Sequence, residues 1–217
     1  MKDDYWINRW EQGEIGFHQT DINPYLRQFW QELKLAADAS VLVPLCGKSS
    51  DMLWLREQSH RVLGVELSAL AVRTFFVEHM LTPVHSQYER FQCYKVDDLS
   101  IMQGNLFDLR KEELASVNAV YDRAALVALP PEIRIRYVSH LLRILPAQTQ
   151  ILLITLDYPH TEMAGPPFSV SPDEVEALYR DCTEIRVLVQ VDVLEENPRF
   201  KQRGLSRLRE NVFLITL

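Results

Sequence analysis

From Val41 onward, short blocks rich in apolar and β-branched residues alternate with blocks of helical periodicity, and this alternation narrows the possible folds more than any other feature of the chain. Strand, helix and strand in succession build a parallel sheet flanked by helices. Val41 to Leu45 contains no polar residue, as expected of a central strand buried on both faces. The turn Cys46-Gly47-Lys48-Ser49-Ser50 follows. A helix over Asp51 to Gln58, a strand over Arg61 to Glu66 and a helix over Ala69 to His79 complete a first β-α-β unit. Cys93 to Val96 and Ser100 to Gln103 read as two short strands around the turn Asp97-Asp98, and Ala119 to Tyr121 as another core strand. Pro130-Pro131 opens a helix that continues through Arg134 to Leu145, with Ile135, Val138, Leu141, Leu142 and Leu145 as its apolar positions. Gln150 to Leu156 is the next buried strand. Ser171-Pro172-Asp173-Glu174 matches a capping box, predicting a helix to about Arg180. Ile185 to Val193 and Val212 to Leu217 close the chain as strands around a long polar loop. No repeat or second core interrupts the pattern, so residues 1–217 read as one α/β domain.

The 217 residues are 47% hydrophobic, enough for one ordinary core, which excludes a disordered chain. Lys and Arg number 23 against 30 Asp and Glu, a formal charge of −7 that argues against a phosphate-backbone footprint and favours a small-molecule partner over nucleic acid. Cys46, Cys93 and Cys182 lie far apart and form neither a disulfide framework nor a zinc cage, which fits a reducing cytoplasm. His18, His60, His79, His85, His140 and His160 show no metal-ligand pair at short spacing, so no metal is expected. No apolar run approaches the roughly 20 residues that cross a bilayer, and the acidic N-terminus has no export signal. The expectation is a soluble, cytoplasmic protein, with a monomer as the default.

Ligands of open α/β sheets bind outside the carboxyl ends of the strands, so the turns there carry most of the functional information. Gly47-Lys48-Ser49 imitates the end of a phosphate-cradling loop, but Leu42 stands where that motif needs its first glycine. Pro44-Leu45-Cys46-Gly47 likewise has one glycine where a dinucleotide fingerprint has three. A ligand without phosphates fits better. Glu66 ends the second strand nineteen residues after Gly47, the spacing at which a carboxylate accepts hydrogen bonds from ribose hydroxyls. Asn105-Leu106-Phe107-Asp108 supplies an amide and an apolar surface for an adenine, and Asp122-Arg123 brings a guanidinium to the same edge. Adenosine without pyrophosphate, held by successive strand ends, points to S-adenosylmethionine. A nicotinamide-dependent oxidoreductase and a nonenzymatic nucleoside binder are the competing readings.

Ahead of the sheet, residues 1–40 concentrate Trp6, Trp10, Phe17, Tyr25, Phe29 and Trp30. Trp6 is expected to cover a helical face against the core and Trp10 to form a lid over the ligand. Cys46 reads as a small packing residue rather than a nucleophile, and Gly165-Pro166-Pro167-Phe168 as a pocket wall.

Several of these segments together resemble the bacterial type of thiopurine S-methyltransferase, and the resemblance runs over almost the whole chain. It rests on Trp6 to Trp10 with Gly16-Phe17-His18, Val43 to Lys48, Gly64-Val65-Glu66-Leu67-Ser68, Tyr121-Asp122-Arg123 with Ala125 to Ala128, and Gly165 to Phe168, in that order and spacing. The resemblance implies the seven-stranded, Rossmann-like class I methyltransferase sheet, helices on both faces and the last strand antiparallel, with residues 1–40 as a lid segment. It implies transfer of a methyl group from S-adenosyl-L-methionine, leaving S-adenosyl-L-homocysteine, to an aromatic or heterocyclic thiol such as a thiopurine, and extends to selenium and tellurium acceptors. The family's cofactor positions fall on Trp10, Leu45, Glu66, Asn105, Leu106 and Arg123. Its substrate-side positions fall on Phe17 and Arg199, with Arg203 as a competing assignment because the loop from Asn197 to Gly204 is longer than in vertebrate members. Arg123 is then the residue that stabilises a thiolate, and no covalent nucleophile is required, because methyl transfer is an in-line displacement governed by orientation and desolvation.

Overall fold

The computed structural model describes residues 3–217. Helices α1 (Asp3–Glu11) and α2 (Pro24–Phe29) precede β1 (Ser40–Pro44), and α3 (Asp51–Glu57), β2 (Arg61–Glu66) and α4 (Ala69–Glu78) complete the first β-α-β unit. Three short strands follow, β3 (Val84–Tyr88), β4 (Phe91–Val96) and β5 (Leu99–Gln103). The second half comprises β6 (Val117–Arg123), α5 (Pro131–Ile144), β7 (Gln150–Asp157), α6 (Pro172–Leu178), β8 (Glu184–Asp192), α7 (Pro198–Gln202) and β9 (Arg209–Thr216).

The strands form one sheet in the order β3-β4-β5-β2-β1-β6-β7-β9-β8. The pairs β5-β2, β2-β1, β1-β6 and β6-β7 are parallel, and β9 lies antiparallel between β7 and β8, as expected for the last strand. The sheet has nine strands, which corrects the expected seven. The addition is a hairpin extension: β4 turns back antiparallel on β5 through the Asp97-Asp98 turn, and β3 pairs antiparallel with β4 at the sheet edge. Every residue of β3 is exposed. An edge strand with both faces in water needs no apolar alternation, so Val-His-Ser-Gln-Tyr carries no readable strand signal.

Both faces are covered. One core joins Leu42, Val120, Leu153 and Phe213 of the sheet to Tyr137, Val138, Leu141 and Ile144 of α5 and Val175 of α6. The other joins Val41, Val43, Leu152 and Leu214 to Leu26 and Trp30 near α2, Met52 and Leu55 of α3 and Phe75 of α4. All five residues of β1 are buried, consistent with its continuous apolar run. Half of the expected capping box is present: Ser171 Oγ accepts from the Glu174 amide at 3.2 Å, while the Glu174 carboxylate pairs with Arg134. The predicted phase of α5 needs correction, because Ile135 is 61% exposed while Arg134 is only 1% exposed. Arg134 can occupy the buried stripe because it pairs with Glu174 at 2.9 Å and donates to the Ser169 carbonyl at 3.0 Å. The long polar loop contains α7.

Asp122 is fully buried. It accepts from the Leu126 amide at 3.0 Å and the Tyr137 hydroxyl at 2.6 Å, fixing the 3-10 turn Leu126–Ala128 after β6. Burial outweighs these bonds and pushes its carboxyl up from 3.8 to about 6. Between those values the folded protein keeps a proton that the unfolded chain has released, so the stability associated with Asp122 falls as pH rises from about 4 to about 6. Asp122→Asn has no such proton. In urea unfolding at a series of pH values, the variant's stability relative to the parent should improve over this window by about 3 kcal/mol. A difference independent of pH overturns the assignment.

Candidate active site

The carboxyl ends of β1, β2, β5 and β6 open into a cavity of about 570 Å³, lined also by the N-terminal segment, the 165–168 region and α7. The turn after β1 is tightly wound. Leu45 has φ 47° and Gly47 φ 54°, two left-handed residues within three. Cys46 N donates to the Val65 carbonyl at 3.0 Å, which binds this turn to the end of β2. Glu66, 5% exposed, completes the join: Oε2 accepts from Gly47 N at 2.8 Å and Oε1 from Ser68 N at 2.7 Å. Burial pushes its carboxyl upward, and the amides of Ser68, Gly47 and Leu67 oppose that rise. An ionised carboxylate has about four acceptor positions, so capacity remains for a ligand beside these amides. Gly47 also allows Trp10 to approach, since a Cβ there would stand 3.0 Å from Trp10 Cζ2.

Across the sheet edge from Glu66, beyond β5, Asn105 Oδ1 accepts from Phe107 N at 3.0 Å and caps a 3-10 turn that places Leu106 and Phe107 on the cavity wall. Arg136 lies over the Phe107 ring at 4.8 Å. On the other side β6 delivers Arg123, followed by Ala124 at φ 63°. Arg123 Nη2 donates to the Phe17 carbonyl at 3.2 Å, tying the sheet to the N-terminal segment.

That segment is secured at its far end. Asp51 is buried, accepts from Asn23 N at 2.8 Å and from the Tyr121 hydroxyl at 2.9 Å, and so fixes the start of α2 against β6. Before α2, Phe17 meets Trp6 and Trp10 edge-to-face at 5.6 and 5.7 Å. Trp10 is 6% exposed, and Trp6, half-buried on α1, lines the cavity.

Pro166 and Pro167, each preceded by a cis peptide bond, line the cavity. Tyr158 donates to the Pro167 carbonyl at 2.6 Å and Phe168 N to the Val127 carbonyl at 2.7 Å. Helix α7 presents Arg199, and its C-cap is Arg203; both are exposed and both line the cavity. A Cβ at Gly16 would stand 3.9 Å from Arg199 Nη1.

Trp10, Phe17, Leu45, Glu66, Asn105, Leu106, Arg123 and Arg199 thus share one cavity, as does Arg203. Cys46 is also there, but burial and the Glu66 charge raise its thiol pKa well above the ordinary value, so it stays protonated. Among the described residues no group of His, Cys, Asp and Glu side chains is arranged to hold a metal. Sequence reasoning missed His18, Tyr121 and Glu210 on the lining. Tyr121 reads as core from its strand pattern. Glu210 was findable only from topology, because an antiparallel last strand begins at the edge where the parallel strands end.

The full chain, residues 1–217, matches the family model described as thiopurine S-methyltransferase. A thiopurine S-methyltransferase of Nitrosospira multiformis is 59% identical over 215 residues, covering 99% of this chain and 98% of that protein. One of Pseudomonas aeruginosa is 48% identical over 215 residues, covering 99% of each. The fold is also that of Burkholderia thailandensis 1,6-didemethyltoxoflavin-N1-methyltransferase, solved with 1,6-didemethyltoxoflavin and S-adenosylhomocysteine bound. Its TM-score is 0.64 at 15% identity, over 99% of this chain and 86% of that one. A full-length family match and this level of identity, on a class I methyltransferase sheet, show that the chain belongs to the thiopurine S-methyltransferase family of S-adenosylmethionine-dependent methyltransferases.

Proposed function

We propose that this protein methylates the sulfur of small aromatic or heterocyclic thiols, thiopurines included, and of the related selenium and tellurium acceptors. The observation that carries this reading is the polarity of the cavity. At the β2 and β5 ends it offers one buried carboxylate, an amide and apolar walls; towards β6 and α7 it offers Arg123, Arg199 and Arg203. The first half suits an adenosine: Glu66 has acceptor capacity left for ribose hydroxyls, Leu106 supplies an apolar face, Asn105 a polar contact, and Leu45 and Trp10 border the same space. When bound there, S-adenosyl-L-methionine would supply an electrophilic methyl group on a sulfonium sulfur.

The remaining work belongs to the chain's own residues. A guanidinium stays charged throughout the working pH range and favours an anionic sulfur, so Arg123 lowers the pKa of a bound aryl thiol. Arg199 and Arg203 add positive charge on the facing wall, and Phe17 with Pro166 and Pro167 offers flat apolar surface to an aromatic ring. Trp10 and Phe17 shield the site from water, which strengthens each of these electrostatic contacts.

Calorimetric titration tests the cofactor half. S-adenosyl-L-methionine and S-adenosyl-L-homocysteine should bind, NAD and ATP should not, and Glu66→Gln should weaken cofactor binding by about tenfold to a hundredfold. Binding of NAD equal to that of S-adenosyl-L-methionine, or an unchanged affinity in a folded Glu66→Gln variant, overturns it. Residues 6–22 act as a lid in this reading, so their amide hydrogen exchange should slow when cofactor and acceptor are both bound. Equal protection without ligand would identify the segment as permanent packing. For the thiolate role, Arg123→Ala should lower turnover of aryl thiols by about 100-fold. It should also move the rising limb of the pH–rate profile upward by about one pH unit, since the bound thiol loses its cationic partner. A limb that stays at one pH across aryl thiols of differing pKa would contradict this mechanism.

A further inference from the structure

The cavity contains a carboxylate to which thiolate stabilisation assigns no task. Glu210 is the second residue of β9, opposite Leu156 of β7 and Val191 of β8. Because β9 runs antiparallel to β7, this N-terminal position falls at the carboxyl edge of the parallel strands, on the same cavity as Arg123, Pro166, Arg199 and Arg203. Tyr25 of α2 and Arg123 lie near its side chain and favour the charged form, whereas burial and the nearby Glu196 push its carboxyl upward, with burial the largest effect. An ionised carboxylate only accepts, so on this cavity wall it can receive a proton or a donor from a ligand. A half-buried carboxylate on the cavity wall, near a tyrosine and an arginine, is suited to proton transfer.

We propose that Glu210 is the proton acceptor for heteroaromatic acceptors of the thioamide kind, in which a ring N–H adjoins the C=S group. The inference rests on the sulfur-methylation reading above. An aryl thiol loses its proton from sulfur and can enter as a thiolate, so Arg123 suffices. In a cyclic thioamide the neutral form holds its proton on nitrogen, and sulfur methylation must release it. As the acceptor sulfur forms its bond to the methyl carbon, the donor carbon–sulfur bond breaks and its electron pair stays on the departing thioether sulfur. The acceptor C=S becomes a C–S single bond, the adjacent C–N becomes C=N, and the ring N–H proton passes to the Glu210 carboxylate. A sulfonium, a neutral thioamide and a carboxylate thus become a thioether, a neutral S-methyl heterocycle and a carboxylic acid, which returns its proton to solvent. Tyr25 is a positioning residue that keeps the carboxylate turned to the cavity.

The test compares two acceptor classes in one protein: a thiopurine with N–H beside C=S, and a thiophenol without ring nitrogen. Glu210→Gln keeps the shape and an acceptor for Tyr25 but cannot take the proton. It should lower the ratio of kcat/KM for the thiopurine to that for the thiophenol by about 100-fold. Tyr25→Phe should lower the same ratio by a smaller factor. Equal losses for both acceptors would mean a structural role, and no loss for either would mean that Glu210 does not receive the proton; both overturn the inference. If Glu210→Gln fails to fold, Glu210→Asp, which withdraws the carboxylate by one methylene, is read by the same ratio. Methyl transfer to the thiophenol by the parent protein separates the outcomes: with it, failure of the ratio condemns only the role of Glu210; without transfer to either class, the function reading fails and this inference falls with it.

Discussion

The ligand edge of this sheet is organised around the Glu66 carboxylate. Its two oxygens bind backbone amides on opposite sides, Gly47 N from the turn after β1 and Ser68 N from the turn after β2. Hydrogen bonds from amides to a buried carboxylate are worth more than those between neutral groups, and losing the acceptor would leave two buried donors unpaired. The join holds the left-handed conformations at Leu45 and Gly47, which give this turn its shape. With Gly47 fixed and lacking a side chain, Trp10 settles directly against it. One residue thus shapes the floor of the cavity and keeps acceptor capacity for a ligand.

The N-terminal segment is attached by different means at its two ends. Near α2 it is anchored by Asp51, which links Asn23 to Tyr121 through buried bonds. Over the cavity Arg123 donates to the Phe17 carbonyl, supported by aromatic edge contacts among Trp6, Trp10 and Phe17. Such edge contacts add only about 0.5–1.5 kcal/mol each beyond the area they bury. Arg123 belongs both to this attachment and to the lining of the cavity.

The opposite wall depends on long-range contacts. Arg134 is a charged residue in the interior of α5's packed face, and its bonds to Glu174 and the Ser169 carbonyl steady the segment that carries Pro166 and Pro167. Tyr158 adds a bond to Pro167 and two through Ser169 Oγ. Glu210 reaches the cavity because the last strand is inserted antiparallel between β7 and β8. These three features lie far apart in the chain and meet only at this edge.

Local physics made much of the protein legible before any coordinates. The apolar run of β1, the capping box at Ser171 and the prolines opening α5 each act within a few residues, so the strands and helices they imply formed near their expected bounds. Glu66 was recognisable because its spacing from Gly47 follows from the length of one β-α-β unit, and Asn105, Leu106 and Arg123 because they follow strand ends, while Trp10 as a cofactor contact, Phe17, Leu45 and Arg199 came from the resemblance to a known family. The exposed strand β3 left no apolar pattern, and the phase of α5 was misread at Ile135 because a buried Arg134 is tolerable only with a partner forty residues away. The sequence by itself determined the α/β class, the carboxyl-edge location of the cavity and several of the side chains that line it. Tertiary structure alone decided the ninth strand, the burial of Arg134 and the meeting of Glu210 with Tyr25 and Arg123, because each depends on pairing between distant segments, whose register no local propensity encodes.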